Sequence, residues 1–217
     1  MKKKIKSHHN SKDQILDAAL TIFSKHGFDG ARTRDIADLA GVNIATLHYH
    51  FKSKDNIYGS VIDEIHKVSG EQIMAVMIEQ RQTIEKSKDK KELIQALKIM
   101  AEAFVAMIIN PENKRFAKII AHEQIEQSKH FKNLFETVMK RVCEPFLTAI
   151  AKITEKRTNE IEAILITHSL HGILTSFLHN QSSLFYLSGW KSYDKNNAKH
   201  INKHISQMID NLLRPYL

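Results

Sequence analysis

The chain has 217 residues, with 32 Lys/Arg against 24 Asp/Glu, a formal net charge of +8, and 42% hydrophobic residues. That length is enough for two closely packed domains with a sizeable core. No uninterrupted apolar run approaches the roughly 20 residues that span a bilayer. The basic start Met1-Lys2-Lys3-Lys4-Ile5-Lys6 leads into polar Ser7-His8-His9-Asn10, unlike a secretory leader. Cys143 is the single cysteine, which excludes an intramolecular disulfide and a thiolate-cluster metal site. A soluble, cytoplasmic protein with no membrane partner is the expectation.

Charge is unevenly placed. Residues 1–55 carry ten Lys/Arg and six Asp/Glu, net +4; residues 56–217 carry 22 and 18, again +4 over about three times the length. The concentrated positive end suits phosphate; by charge alone, an arm of Lys2, Lys3, Lys4 and Lys6 either adds nonspecific affinity for a polyanion or only keeps the chain soluble.

The rest of the chain reads as successive helices, near 11–26, 33–39, 44–50, 54–85, 90–109, 112–127, 130–155, 158–181 and 196–213. Only three prolines occur, at 111, 145 and 215, and no stretch shows sustained strand alternation. Pro145 lies inside a helical pattern and predicts a kink. Residues 182–195, with Gly189 and several serines, predict a loop.

Residues 33–54 are the informative stretch. A short helix is expected to start at Thr33 as N-cap and to turn Ile36, Ala37, Leu39 and Ala40 inward. Gly41 makes a sharp turn, Val42 plugs it and Asn43 caps a second helix. Leu47 and Phe51 share one face of that helix at spacing i, i+4. Ile44, Ala45, Thr46, His48, Tyr49 and His50 are left for the other faces, an arrangement that suits the major groove of DNA.

This stretch, the preceding Ile15–Arg32 and the following Phe51–Asp55 resemble the DNA-binding domain of the TetR family of bacterial transcriptional regulators, over about 45 residues. The resemblance implies an all-α fold. A three-helix N-terminal domain (1–55) with a helix-turn-helix would precede a larger effector-binding and dimerisation domain (56–217). It implies phosphate contacts from Thr33, Tyr49, His50 and Lys54, and base-facing positions at Ile44, Ala45, Thr46 and His48. Arg34 is long enough to reach a guanine edge as well as a phosphate. The family often carries tyrosine where His48 stands. Histidine can hydrogen-bond a purine edge but offers less apolar surface to a thymine methyl.

Further along, Phe116–Glu123, Phe131, Phe135, Pro145-Phe146 and Leu187-Ser188-Gly189-Trp190 are similar to the ligand domain of CecR-type members. Met100, Phe104, Met107, Phe116, Ile120, Phe146 and Phe177 could line an apolar cavity, with His122 or Glu123 as polar anchor. A Met or Phe at helical spacing is equally what a packed core requires. A buried Glu123 would need a partner, such as Lys118, His122, Arg141 or a ligand cation. Ile164, His168, His171 and Thr175 on the penultimate helix, and Ile201, Ile205, Met208 and Leu212 on the last, correspond to the family's dimer interface. The long helix from Lys54 would link the two domains.

His168/His171 and His200/His204 have the same-face spacing of metal ligands, yet amphipathic helices produce such pairs without a metal. No metal site, no cofactor and no catalytic constellation is expected. The sequence therefore predicts a homodimeric regulator, a repressor of a pseudo-palindromic operator in double-stranded DNA, released by a small apolar or amphipathic effector. An effector-independent DNA-binding or nucleoid-associated protein, and more remotely a histidine-ligated metal sensor, are the alternatives.

Overall fold

The computed structural model describes residues 11–217, apart from the side chains of residues 70–72. The expected arm at Lys2, Lys3, Lys4 and Lys6 and the His8-His9 pair lie outside the described residues. The chain forms helices α1 (Ser11–Gly30), α2 (Thr33–Ala40), α3 (Ile44–Phe51), α4 (Lys54–Lys86), α5 (Lys90–Ile109), α6 (Lys114–Glu126), α7 (Phe131–Leu134), α8 (Lys140–Thr154), α9 (Ile161–His179), α10 (Gln181–Ser188) and α11 (Lys195–Leu213). No strand occurs among the described residues. Two compact units result: residues to His66 with Arg115–Leu134, and Lys67–Lys114 with Phe135–Leu217. The first unit thus takes more than residues 1–55, adding the start of α4 and nearly all of α6.

In the first unit, Ile15, Ala19 and Phe23 of α1, Ile36 of α2, Leu47 of α3 and Ile57, Val61 and Ile65 of α4 are completely buried. Burial of each large aliphatic contributes about 1.5–3 kcal/mol. α1 kinks at Gly27, whose φ of 66° is costly for a side chain. A Cβ there would also come within 2.6 Å of a Glu126 carboxylate oxygen. α2 ends on Gly41 at φ 68°. Val42 N–H donates to Ala37 O (3.0 Å) and Gly41 N–H to Asp38 O (3.2 Å), the paired bonds of a Schellman turn. Asn43 caps α3 by accepting from Thr46 N–H at 2.7 Å, as the sequence predicts.

Two expectations for α2 are corrected. Arg32, without a side-chain cap bond, holds the N-cap position in extended conformation, and Thr33 is already the first helical residue. Leu39 is 53% exposed; in an eight-residue helix the inward face is filled by Ile36 and Ala37.

The second unit is built around α5, which contacts α8, α9 and α11. Leu93, Leu97, Met100 and Val105 of α5 share one core with Phe146 and Ile150 of α8, Leu170 and Leu174 of α9, and Ile201, Ile205, Ile209 and Leu213 of α11. The C-terminal half of α4 adds Ile73, Met77 and Ile84. Lys152 closes that end of α4 by donating to the carbonyls of Ile84, Glu85 and Ser87, a cation on the negative end of a helix dipole.

The helix expected over 130–155 is interrupted by a π-helical turn at Phe135–Met139, and α8 then runs on through Pro145. The loop expected over 182–195 contains α10, whose Phe185 packs edge-on against Tyr193 with ring centroids 4.9 Å apart. α10 buries no residue fully, so no amphipathic stripe announces it in the sequence. α9 is long and apolar enough to cross a membrane by length and composition, with 22% of its apolar window buried. The polar residues Thr167, His168, Ser169 and His171 interrupt it, which is why no continuous apolar run is visible.

Candidate nucleic-acid interface and effector region

The outward face of α2 and α3 carries most of the residues expected to meet DNA. Arg34, Ala45 and His48 are exposed, Ile44 is 39% and Tyr49 84% exposed, and Thr33, Thr46 and His50 are half-buried. Tyr49 stands edge-on to His50 at 5.2 Å, and His50 Nε2 lies 2.6 Å from Ser11 Oγ. α1 thereby braces the C-terminal turn of α3. Exposed as it is, Tyr49 contributes little to the core of this unit.

Lys54, expected to contact phosphate, makes contacts within the protein. Its ammonium donates to the carbonyls of Phe28 (2.9 Å), Asp29 (3.4 Å) and Ala31 (3.1 Å) and sits 4.4 Å from the Phe28 ring centroid. An ammonium has three protons. These three acceptors tie the ammonium to the end of α1 and the α1–α2 turn.

A polar cluster in the same unit joins α4 to α6. Glu123 of α6 is 2% exposed, and its Oε1 accepts from Tyr58 Oη (2.6 Å) and Ser128 Oγ (2.8 Å). Glu123 Oε2 is buried without a hydrogen bond. Burial, and then the Glu123 carboxylate, push the Tyr58 hydroxyl well above the phenol range, so it stays a donor. Tyr58 packs edge-on against Phe23 (4.7 Å) and Phe28 (5.0 Å), and Phe28 against His130 (4.5 Å). Asp55 closes the rim, pairing with Lys129 (2.6 Å) and His130 (2.8 Å). The Lys129 hydrogen bond chiefly holds its carboxyl below the usual range. Arg115 adds a second tie from α6, bonding Asp17 and Thr21 of α1.

The residues expected to line one effector cavity are divided between the two units. Phe116, Ile120, His122 and Glu123 belong to the unit with the helix-turn-helix, whereas Met100, Phe104, Met107, Phe146 and Phe177 belong to the other. Met100 and Phe146 are completely buried core residues, and Phe104, Met107 and Phe177 pack against that core. Phe177 alone among them also lines an open groove of about 770 Å³, with Ile173, Leu184, Trp190, His200, His204 and Met208. A smaller hollow of about 400 Å³ joins Ile108, Leu178, Phe185 and Tyr193 to Lys114 and Lys191.

Three expected interface positions face inward. Ile201 and Ile205 are core, since the stripe 201/205/209/213 of α11 faces the same core as α5. His171 is held between Phe104 (6.0 Å) and Phe146 (5.1 Å) with its Nε2 buried and unpartnered. Burial, and then the nearby His168, push its imidazole down to about 4. Ile164, Leu165 and His168 of α9 are exposed, and Thr175, Met208 and Leu212 half-buried. His168 and His171 thus differ in exposure, while His200 and His204 are both exposed. Among the described residues no cluster of three or more His, Cys, Asp or Glu is arranged to hold a metal ion. Burial pushes the Cys143 thiol up to about 11, which keeps it protonated and weakly nucleophilic.

Comparison with known proteins agrees with this anatomy. Residues 15–61 match the bacterial regulatory proteins of the tetR family, and residues 93–215, more than half of the chain, match the C-terminal domain of the HTH-type transcriptional dual regulator CecR. CecR of Shigella flexneri is 27% identical over 205 residues, covering 94% of this chain and 92% of that protein. The Staphylococcus aureus biofilm operon icaADBC negative regulator IcaR is 49% identical over 47 residues, 22% of this chain and 25% of its own. Among solved structures, AibR in complex with isovaleryl coenzyme A and operator DNA superposes with a TM-score of 0.64 at 12% identity, covering 92% of this chain and 97% of that one. FadR, the fatty acid degradation regulator of Bacillus halodurans, gives 0.56 at 19%, covering 94% and 96%. The helix-turn-helix, the all-helical second unit and the match over more than half of the sequence make this chain a member of the TetR family of DNA-binding transcriptional regulators, with a C-terminal domain of the CecR type.

Proposed function

We propose that the protein is a homodimeric repressor that binds a pseudo-palindromic operator and is released by a small effector with an apolar or acyl portion. The observation that carries the DNA half is the exposed face of α2 and α3. Thr33, Tyr49 and His50 grip phosphates, Arg34 reaches phosphate or guanine, and Ile44, Ala45, Thr46 and His48 face bases. Residues 1–55 read DNA, and residues 56–217 carry dimerisation and sensing. The dimer is supported by the exposed apolar face of α9, where Ile161, Ile164 and Leu165 are 68%, 40% and 55% exposed. A two-fold protein meets two half-sites.

The sensing role is supported by α6. It belongs by sequence to the CecR-type domain and by packing to the unit that holds the helix-turn-helix. The acyl character of the effector is supported by AibR, solved with isovaleryl coenzyme A, and by FadR, named for fatty acid degradation. A second reading, in which no effector acts, is favoured by the complete burial of Met100 and Phe146 in the core.

Selection of bound fragments from the source genome should return a two-fold sequence. Tyr49→Ala with Arg34→Ala should weaken binding to every duplex and lower the salt slope by roughly 0.9 per lost phosphate contact. Unchanged binding by that double variant would refute the DNA assignment. Calorimetry with acyl compounds, with and without operator, separates the two sensing readings. A binder that shifts operator affinity, commonly by about 1–3 kcal/mol of coupling, supports release; binders without coupling leave the effector-independent protein.

A further inference from the structure

The recognition helix carries an asymmetry in its hydrogen-bonding groups. His48 Nδ1 lies 3.1 Å from the carbonyl oxygen of Lys52, while Lys52 N–H donates to the carbonyl of His48 at 2.9 Å. A carbonyl oxygen can only accept, so the proton of this bond sits on Nδ1. A neutral imidazole has one N–H, which leaves Nε2 as a bare lone pair. Lys52 holds φ 61°, a left-handed conformation that this pair of bonds closes over the last turn of α3. The ring is thereby fixed in orientation although it is exposed.

The neighbouring positions supply no donor either. Thr46 donates both its N–H (2.7 Å) and its hydroxyl proton (3.0 Å) to Asn43 Oδ1, so its Oγ1 faces outward only as an acceptor. Ile44 and Ala45 have no polar side-chain atom. The four base-facing positions of α3 therefore present two acceptors, two apolar groups and no free side-chain donor. In the major groove, adenine N6 and cytosine N4 offer donors, thymine offers a methyl group and O4, and guanine offers only the acceptors N7 and O6. A lone pair aimed at guanine meets lone pairs.

We propose that His48 reads its base as a hydrogen-bond acceptor, selecting adenine or cytosine through the exocyclic amine and rejecting guanine at its position in each half-site. This rests on α3 being the helix that enters the major groove. It reverses the more familiar use of a basic side chain on a recognition helix, which is to donate to guanine.

The test is selection of duplexes from a randomised pool by the full chain at pH 8, followed by titration of the selected site. One position per half-site should be adenine or cytosine. Exchanging it for guanine, or for a base analogue that lacks the exocyclic amine, should weaken binding by about five-fold or more, the scale of one mismatched pair. His48→Ala should abolish that discrimination at this position alone, and His48→Arg should transfer the preference to guanine. Ala45→Asp, which puts a carboxylate on the same face, should abolish binding. If Ala45→Asp binds normally, the placement of α3 in the groove fails, and this inference with it. If Ala45→Asp abolishes binding yet the wild type takes guanine where His48→Ala alters the site, or His48→Ala alters no position, the acceptor assignment alone is overturned.

Discussion

Acid should destabilise the second unit through one residue, His171. Its ring lies between Phe104 and Phe146 with Nε2 buried and unpartnered, and burial lowers its imidazole from 6.5 to about 4. The folded protein therefore holds His171 neutral while the unfolded chain protonates it below pH 6.5. Stability is fully present above the unfolded value and is lost as pH falls from about 6.5 toward 4. At about 1.36 kcal/mol for each pH unit of difference, the full loss is about 3 kcal/mol, of which about 2 is reached by pH 5. In a chain of this length that corresponds to a Tm drop of about 4–8 °C. Urea titrations followed by circular dichroism at pH 7.5, 6.5, 5.5 and 5.0 measure it, with His171→Gln as the non-titrating reference. Carboxylates held low by ion pairs, Asp55 and Glu155 among them, also weaken the fold in acid. They act equally in both proteins, so the wild-type-minus-variant difference isolates His171. His171→Leu removes the unpartnered nitrogen outright and should be neutral or stabilising at pH 7.5. Parallel pH curves for wild type and His171→Gln would refute the assignment of this ring to a desolvated, neutral state.

Lys54→Met should lower stability by about 1–2 kcal/mol, because its bonds to Phe28, Asp29 and Ala31 are lost. It should leave the salt slope of DNA binding unchanged; a slope reduced by roughly 0.9 with unaltered stability would return Lys54 to the phosphate. Tyr58→Phe removes a charge-assisted bond to buried Glu123 and should cost about 2–3 kcal/mol, with faster hydrogen exchange in α6. A cost under about 0.5 kcal/mol would mean that water replaces the hydroxyl. Leu165→Glu should yield folded monomers by light scattering, whereas Ile205→Asp should unfold the second unit, since Ile205 is 1% exposed and a charge there is unpaired. A folded Ile205→Asp monomer would restore that residue to the dimer seam.

The sequence by itself determined the local structure of this protein. Asn43 before a helix, Gly41 after one, and Leu47 with Phe51 four residues apart are choices dictated by backbone geometry within a single turn, and all of them appear as expected. The absence of strand alternation and the sparse prolines likewise sufficed for an all-helical chain. Tertiary structure decided what each apolar or charged group was for. Ile205 and Leu165 are alike in chemistry, because a core and an interface both ask for aliphatic surface; only the packing of α11 against α5 and α9 sends one inward while the other stays exposed. Lys54 suits a phosphate as well as it suits three carbonyls, and only the fold shows that the carbonyls of Phe28, Asp29 and Ala31 are within its reach. One partner of Glu123, Ser128, is five residues on, but the other, Tyr58, lies 65 residues away, a distance in sequence that no periodicity spans. Helical spacing tells which residues share a face; what that face meets depends on contacts between segments far apart in the chain.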